Sequence, residues 1–160
     1  MIKISVRNLV EFILREGDID NRRGQVSDKD AMEAGSRVHR KIQKSMGSFY
    51  RSEVPLAIDL PMAHFVLRIE GRADGILERN GETIIDEIKG VYKKVEEMEM
   101  PVYVHKAQAM VYAYIYAKER HLEQIGVQMT YCNLETEVIR QFRDDFSWKE
   151  LEQWFENLIA

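Results

Sequence analysis

The residues of this chain whose types and spacing could do chemistry are two carboxylates and a lysine: Asp74, Glu87 and Lys89. Asn80-Gly81 lies between Ala73–Leu77 and Thr83–Ile88, and Asn-Gly between apolar runs is the strongest short signal for a two-residue hairpin turn. That turn pairs Arg79 with Glu82. Carried back, the register sets Asp74 opposite Glu87 and Arg72 opposite Lys89, with Asp86 pointing to the other face. Facing positions bring their Cβ atoms ~5 Å apart, and like charges there weaken a sheet. Glu87 is also flanked by Ile84, Ile85 and Ile88, so its strand reads as buried on both faces, where a charge needs a partner. Two converging carboxylates suit a hard divalent cation. A lysine beside them can orient a water or stabilise charge developing on a phosphate.

The elements that must position this set can be read along the chain. Ser5 caps a first helix through Leu9, Val10, Ile13 and Leu14, and Gly17 to Gly24 reads as a loop. Ser27 with Asp30 resembles a capping box opening a helix to about Met46. Its apolar stripe is Ala31, Ala34, Gly35, Val38 and Ile42, with His39 at the edge; Gly35 would allow close approach to a sheet. Strands follow at Val54–Ile58, at His64–Leu77 and after the Asn-Gly turn. Pro101 suits the start of a helix reaching about His121. Gln108 and Tyr112 stand one turn apart on it, at the edge of a Val104, Val111, Ile115 stripe. Gly126–Thr136 alternates like a strand, and Ser147 with Glu150 caps a last amphipathic helix. The expected order is α-α-β-β-β-α-β-α, a small α/β sheet with helices against it.

At 160 residues, 45% hydrophobic and 31% charged, the chain has the size and mix of one globular domain, expected over residues 1–160. No apolar stretch approaches the ~18 residues that span a bilayer, so no membrane partner is expected. The N-terminus carries no signal-peptide block, and the single Cys132 excludes an internal disulfide, a self-contained cysteine zinc site and an iron–sulfur cluster, all of which fits the cytoplasm. With 23 basic and 27 acidic residues, net −4, there is no global positive field. Any nucleic-acid contact must be local. Arg37, Arg40, Lys41 and Lys44 lie on one helical face, and with Arg51, Lys93, Lys94 and Lys106 they could follow a phosphate backbone. Tyr114 and Tyr116 read as core or surface aromatics, and Glu53 as a further ligand or the partner of a basic residue.

Gly71-Arg72-Ala73-Asp74 followed by Ile85-Asp86-Glu87-Ile88-Lys89-Gly90 resembles the core signature of the PD-(D/E)XK nuclease superfamily, with Glu87-x-Lys89 as its (D/E)xK element. Gly35-x-x-x-His39 and Gln108-x-x-x-Tyr112 are similar to the histidine and QxxxY motifs of its RecB-like branch. The likeness runs from about Ala31 to Tyr131 and extends to the N-terminal nuclease domain of some bacterial DinG/XPD-like helicases. It implies a restriction-endonuclease-like α-β-β-β-α-β core with a small central mixed sheet flanked by helices. It implies that His39, Asp74, Glu87 and the Ile88 carbonyl ligate Mg²⁺ or Mn²⁺, that Lys89 is catalytic, and that Gln108 and Tyr112 shape the site and contact DNA. Beside these, Arg72 and, from the basic helical face, Arg37 and Lys41 are expected to bind the DNA substrate. A metal-dependent deoxyribonuclease, an exonuclease of repair or recombination, is the expected function. The alternative is a DNA-binding helicase-accessory module with little activity of its own. No Walker motif occurs, so a linked helicase would lie beyond residue 160.

Overall fold

A computed structural model describes the backbone of residues 1–14 and 28–160 and the side chains of 1–14 and 33–160. The elements run β1 (Ile2–Ser5), α1 (Val6–Leu14), α2 (Asp28–Ser45), β2 (Tyr50–Pro61), β3 (Val66–Arg79), β4 (Glu82–Val91), a 3₁₀ turn (Val95–Glu97), α3 (Tyr103–Arg120), β5 (Gln124–Asn133), β6 (Ile139–Ser147) and α4 (Trp148–Ile159). The six strands form one mixed sheet in the order β1-β3-β4-β5-β6, with β2 also paired to β3. β1 and β3 are parallel, as are β4 and β5; the other pairs are antiparallel.

The main core lies between the sheet and α1, α3 and α4, where Val10, Ile69, Ile76, Ile85, Val111, Met129 and Leu151 are buried. α2 covers the opposite face through a smaller cluster of Val38, Ile42, Ile88 and Cys132. Because β4 carries both Ile85 and Ile88, it is buried on both faces, as its sequence indicates.

Local signals act where expected. Ser5 Oγ accepts from Asn8 N–H at 3.0 Å to cap α1. Ser147 and Glu150 form the reciprocal capping box of α4. Asn80 and Gly81 both take positive φ, 56° and 79°, and the hairpin pairs Arg79 with Glu82 in the expected register. The expected capping box of Ser27 and Asp30 and the loop over 17–24 lie outside the described residues.

Three expectations are corrected. β1 and β6 are strands that the pattern reading leaves unassigned. β1 has four residues, and β6 places its polar side chains towards solvent on the sheet's outer edge. The strand expected to reach Thr136 stops at Asn133, whose Oδ1 accepts from Glu135 N–H and Thr136 N–H and so turns the chain into β6. Finally, α3 is buried almost all round from Ala107 to Ala117 and not along one stripe.

β2 and β3 kink together. The paired residues skip Glu53 and Asp74, which fall between the pairs Ser52–Gly75 and Val54–Ala73. Glu53 has φ 55°. On one side of this point Ile69 and Ala73 of β3 face the main core; on the other Ile76 does, so the alternation slips by one residue. β2 slips likewise: Val54, Leu56 and Ile58 face that core, whereas Tyr50 turns to the other face and reaches Asp86.

Candidate active site

The kink opens the sheet. β3 pairs with β1 only up to Glu70 and with β4 only from Gly75 onward, so the edge of β3 between them is free. β4 continues past Asp86, bound to β5 alone, and a wedge separates the two strands. Ile88 lies in this wedge, and site side chains meet both of its backbone groups. Its N–H donates to Asp74 Oδ2 at 2.7 Å. Its carbonyl accepts from His39 Nε2, 2.6 Å away, which fixes the proton on that nitrogen. His39 comes from α2 on the opposite face and meets the site through the wedge. A Cβ added at Gly35 would touch nothing within 4 Å among the described residues, which gives the expected role of Gly35 in this approach no support. The packing of Val38 and Ile42 on Ile88 sets the depth of the helix instead.

Glu87 and Lys89 project from β4 towards α3. Lys89 Nζ donates to Gln108 Oε1 at 3.0 Å and stands 3.6 Å from Glu87 Oε2. Glu87 is 7% exposed and Gln108 2%, yet Glu87 Oε1 and Gln108 Nε2 have no hydrogen-bond partner among the described residues. Burial pushes the Glu87 carboxyl well above the usual carboxylate range; the Asp74 charge adds to this and Lys89 opposes it. Asp74 is raised too, by burial first, against the lowering effects of His39, the Ile88 N–H and Lys89. The Asp74 charge thus reaches Glu87, but the β3–β4 ladder ends at Gly75–Asp86, so Asp74 and Glu87 are not the ladder pair that the hairpin register predicts. Arg72 does not face Lys89 either. The β3–β4 ladder ends before it, Arg72 pairs with Pro55, and its guanidinium lies 3.8 Å from Glu53.

Tyr112 lies over Gly71, where a Cβ would come within 2.3 Å of its hydroxyl oxygen, so the bare backbone there makes room for the ring. Burial, then the charges of Glu87 and Asp74, push its hydroxyl pKa up. The expected basic track is partly engaged: Lys41 pairs with Glu137 at 2.5 Å, Lys106 with Asp144 at 2.7 Å and Arg51 with Glu78 at 3.1 Å. Arg37 is exposed on α2. Tyr114 stacks on Phe155 and Trp148, and Tyr116 bonds to Glu78, so both are packing residues. Pattern reading passed over Gln43, one turn after His39, whose amide reaches Glu53 and Asp74; that spacing was its only signal.

As they stand, no three His, Cys, Asp or Glu side chains among the described residues close on a common point as a metal cage. The donor set nevertheless fits a divalent cation. A proton bridges His39 Nε2 and the Ile88 carbonyl, drawing together two of the groups expected as ligands, and Glu87 offers a buried oxygen that no described residue bonds. One imidazole, two carboxylates and a carbonyl make a hard, mostly oxygen set open to Mg²⁺ or Mn²⁺.

A mixed α/β sheet flanked by helices, split where its carboxylates meet, is the restriction-endonuclease-like architecture. A sequence profile of the PD-(D/E)XK nuclease superfamily matches residues 6–160, and the chain belongs to that superfamily. Its members are nucleases that generally use Mg²⁺ or Mn²⁺. Among solved structures, the crystal structure of SSO0001 is similar in fold, with TM-score 0.65 and 22% identity, over 98% of this chain and 75% of that one. No curated protein matches. Among the described residues no helix is long and apolar enough to cross a membrane.

Proposed function

We propose that this protein is a divalent-metal-dependent deoxyribonuclease that hydrolyses DNA phosphodiester bonds. The observation that carries this reading is Glu87: a carboxylate removed from water, beside a second carboxylate, with one oxygen left without a partner among the described residues. Such an arrangement costs stability unless a cation completes it. His39, Asp74, Glu87 and the Ile88 carbonyl hold the metal. A divalent cation there supplies the positive charge that activates a water and offsets the charge gained by the phosphate.

Lys89, steadied by Gln108 and Glu87, presents its remaining ammonium hydrogens to the attacking water or to a phosphate oxygen. The unpaired Gln108 Nε2 is a donor for the same phosphate. Tyr112 walls the site, and Arg72, Arg37 and Lys41 meet the flanking DNA backbone, Lys41 by exchanging Glu137 for phosphate. The resemblance to RecB-like and DinG/XPD-like proteins supports an exonuclease mode, a role in repair or recombination and a linked or associated helicase, and the chain's length and composition support a single domain over residues 1–160.

The test is cleavage of end-labelled single- and double-stranded DNA by the purified protein with Mg²⁺, with Mn²⁺ and with EDTA. Metal-dependent cleavage that shortens labelled ends stepwise is expected. DNA binding without cleavage in either metal would contradict this reading and favour an accessory module.

A further inference from the structure

The kink that opens the site is held by two residues that the nuclease reading leaves without a role. Glu53 sits inside β2 with φ 55°, a left-handed conformation that a residue with a side chain keeps only where its surroundings hold it. A glycine would adopt this backbone freely. The side chain at this position is therefore retained against backbone strain, and its contacts show what it does. Gln43, one turn after His39 on α2, directs its Nε2 at two acceptors: Glu53 Oε2 at 2.8 Å and the Asp74 carbonyl at 2.9 Å. One amide thus joins the helix that carries His39, the kinked residue of β2 and the backbone of Asp74.

We propose that Gln43 and Glu53 are positioning residues: the Gln43 amide staples Glu53 to the Asp74 backbone, fixes the β2–β3 kink, and so aims the Asp74 carboxylate at Ile88 and the metal site. This rests on the metal reading given above. Without the staple Asp74 has more directions to sample, and a cation must order it on binding. Metal affinity should suffer while the chemistry at saturating metal persists.

The experiment is calorimetric titration of the full chain with Mn²⁺, for wild type, Gln43→Leu, Glu53→Gly and Glu53→Gln, together with the thermal midpoint of each in EDTA. Gln43→Leu and Glu53→Gly should bind Mn²⁺ about tenfold more weakly, the lower end of what losing an outer-layer partner costs a metal site. Glu53→Gly should keep its thermal midpoint, because glycine relieves the left-handed backbone, so its loss of affinity will not reflect unfolding. Glu53→Gln still accepts from Gln43 through its amide oxygen and should regain most of the affinity. In cleavage assays, Gln43→Leu and Glu53→Gly should need correspondingly more Mn²⁺ for half-maximal rate and approach the wild-type rate at saturation. Wild-type affinity in folded Gln43→Leu and Glu53→Gly would overturn the staple alone, as would a Glu53→Gln variant as weak as Glu53→Gly. A wild type that takes up no Mn²⁺ would overturn the metal reading and the staple with it.

Discussion

Asp86 and Glu87 are consecutive carboxylates on one buried strand, and they are treated in opposite ways. Asp86 is fully buried and points to the α2 face, where Tyr50 donates to Oδ2 at 2.6 Å and Thr130 and Gln128 donate to Oδ1 at 2.6 and 3.2 Å. Gly75 leaves space for the Tyr50 ring, which would collide with a Cβ at 1.8 Å. Glu87, on the other face, has Lys89 at 3.6 Å and one oxygen that no described residue bonds. Burial raises both carboxyl pKa values, so a raised pKa by itself does not distinguish a site from a strut. Hydrogen-bond satisfaction does. Asp86 ties β2, β4 and β5 together; Glu87 is not completed by any of the described residues, and the proposed cation would complete it.

The largest effect expected from this contrast is on cleavage. Glu87→Gln should reduce it to background. Lys89→Ala should cost about a hundredfold in rate, the scale of losing one transition-state electrostatic contact, while leaving the thermal stabilisation by Mn²⁺ intact. Loss of that stabilisation in Lys89→Ala would move the lysine from chemistry to metal binding.

Next in size is the strut. Asp86→Ala strands the hydroxyls of Tyr50 and Thr130 and the Gln128 amide, and should lower stability by roughly 1–3 kcal/mol for each donor left buried and unmet. Urea denaturation of the two variants in EDTA separates the carboxylates, because Glu87→Gln should not destabilise.

Glu87→Gln should in fact gain stability without metal, and the gain should grow with pH. The Glu87 carboxyl binds its proton more tightly folded than unfolded. Its contribution is therefore favourable below the unfolded carboxylate range and is lost as pH rises towards the raised folded value. Glutamine removes that loss. Thermal midpoints in EDTA should coincide near pH 4 and diverge towards pH 8; a constant difference would break the assignment.

The smallest effect concerns His105 on α3. Burial, aided by Lys89 and Lys93, holds its pKa down to about 4, while its Nδ1 shares a hydrogen bond of 3.0 Å with the Tyr131 hydroxyl. The folded state resists the proton that the unfolded chain takes up near pH 6.5, so stability should fall as pH drops from about 6.5 to about 4. His105→Asn should flatten that slope in urea titrations.

Much of this arrangement was legible in the sequence, because it follows from local rules. The Asn80-Gly81 turn fixes the hairpin register, and the apolar neighbours of Glu87 announce a buried charge. The kink was not legible. Strict alternation sets Arg72 opposite Lys89, but a left-handed glutamate on the neighbouring strand β2 shifts β3 by one residue, and no short-range pattern encodes that. β1 was hidden because four residues are too few to show a period. β6 was hidden because an edge strand carries polar residues on its open side. His39 shows the same division: its spacing from Gly35 marks a motif, whereas the contact that seats its helix is long-range packing on Ile88.

The central claim is that Glu87 is completed by a cation. The most direct measurement is electron paramagnetic resonance of free Mn²⁺ during titration into wild type and Glu87→Gln at neutral pH, with a short DNA present to complete the coordination shell. Wild type should deplete the free-ion signal, and Glu87→Gln should leave it close to that of buffer with DNA. Equal depletion by the two proteins, or none by wild type, would contradict that claim.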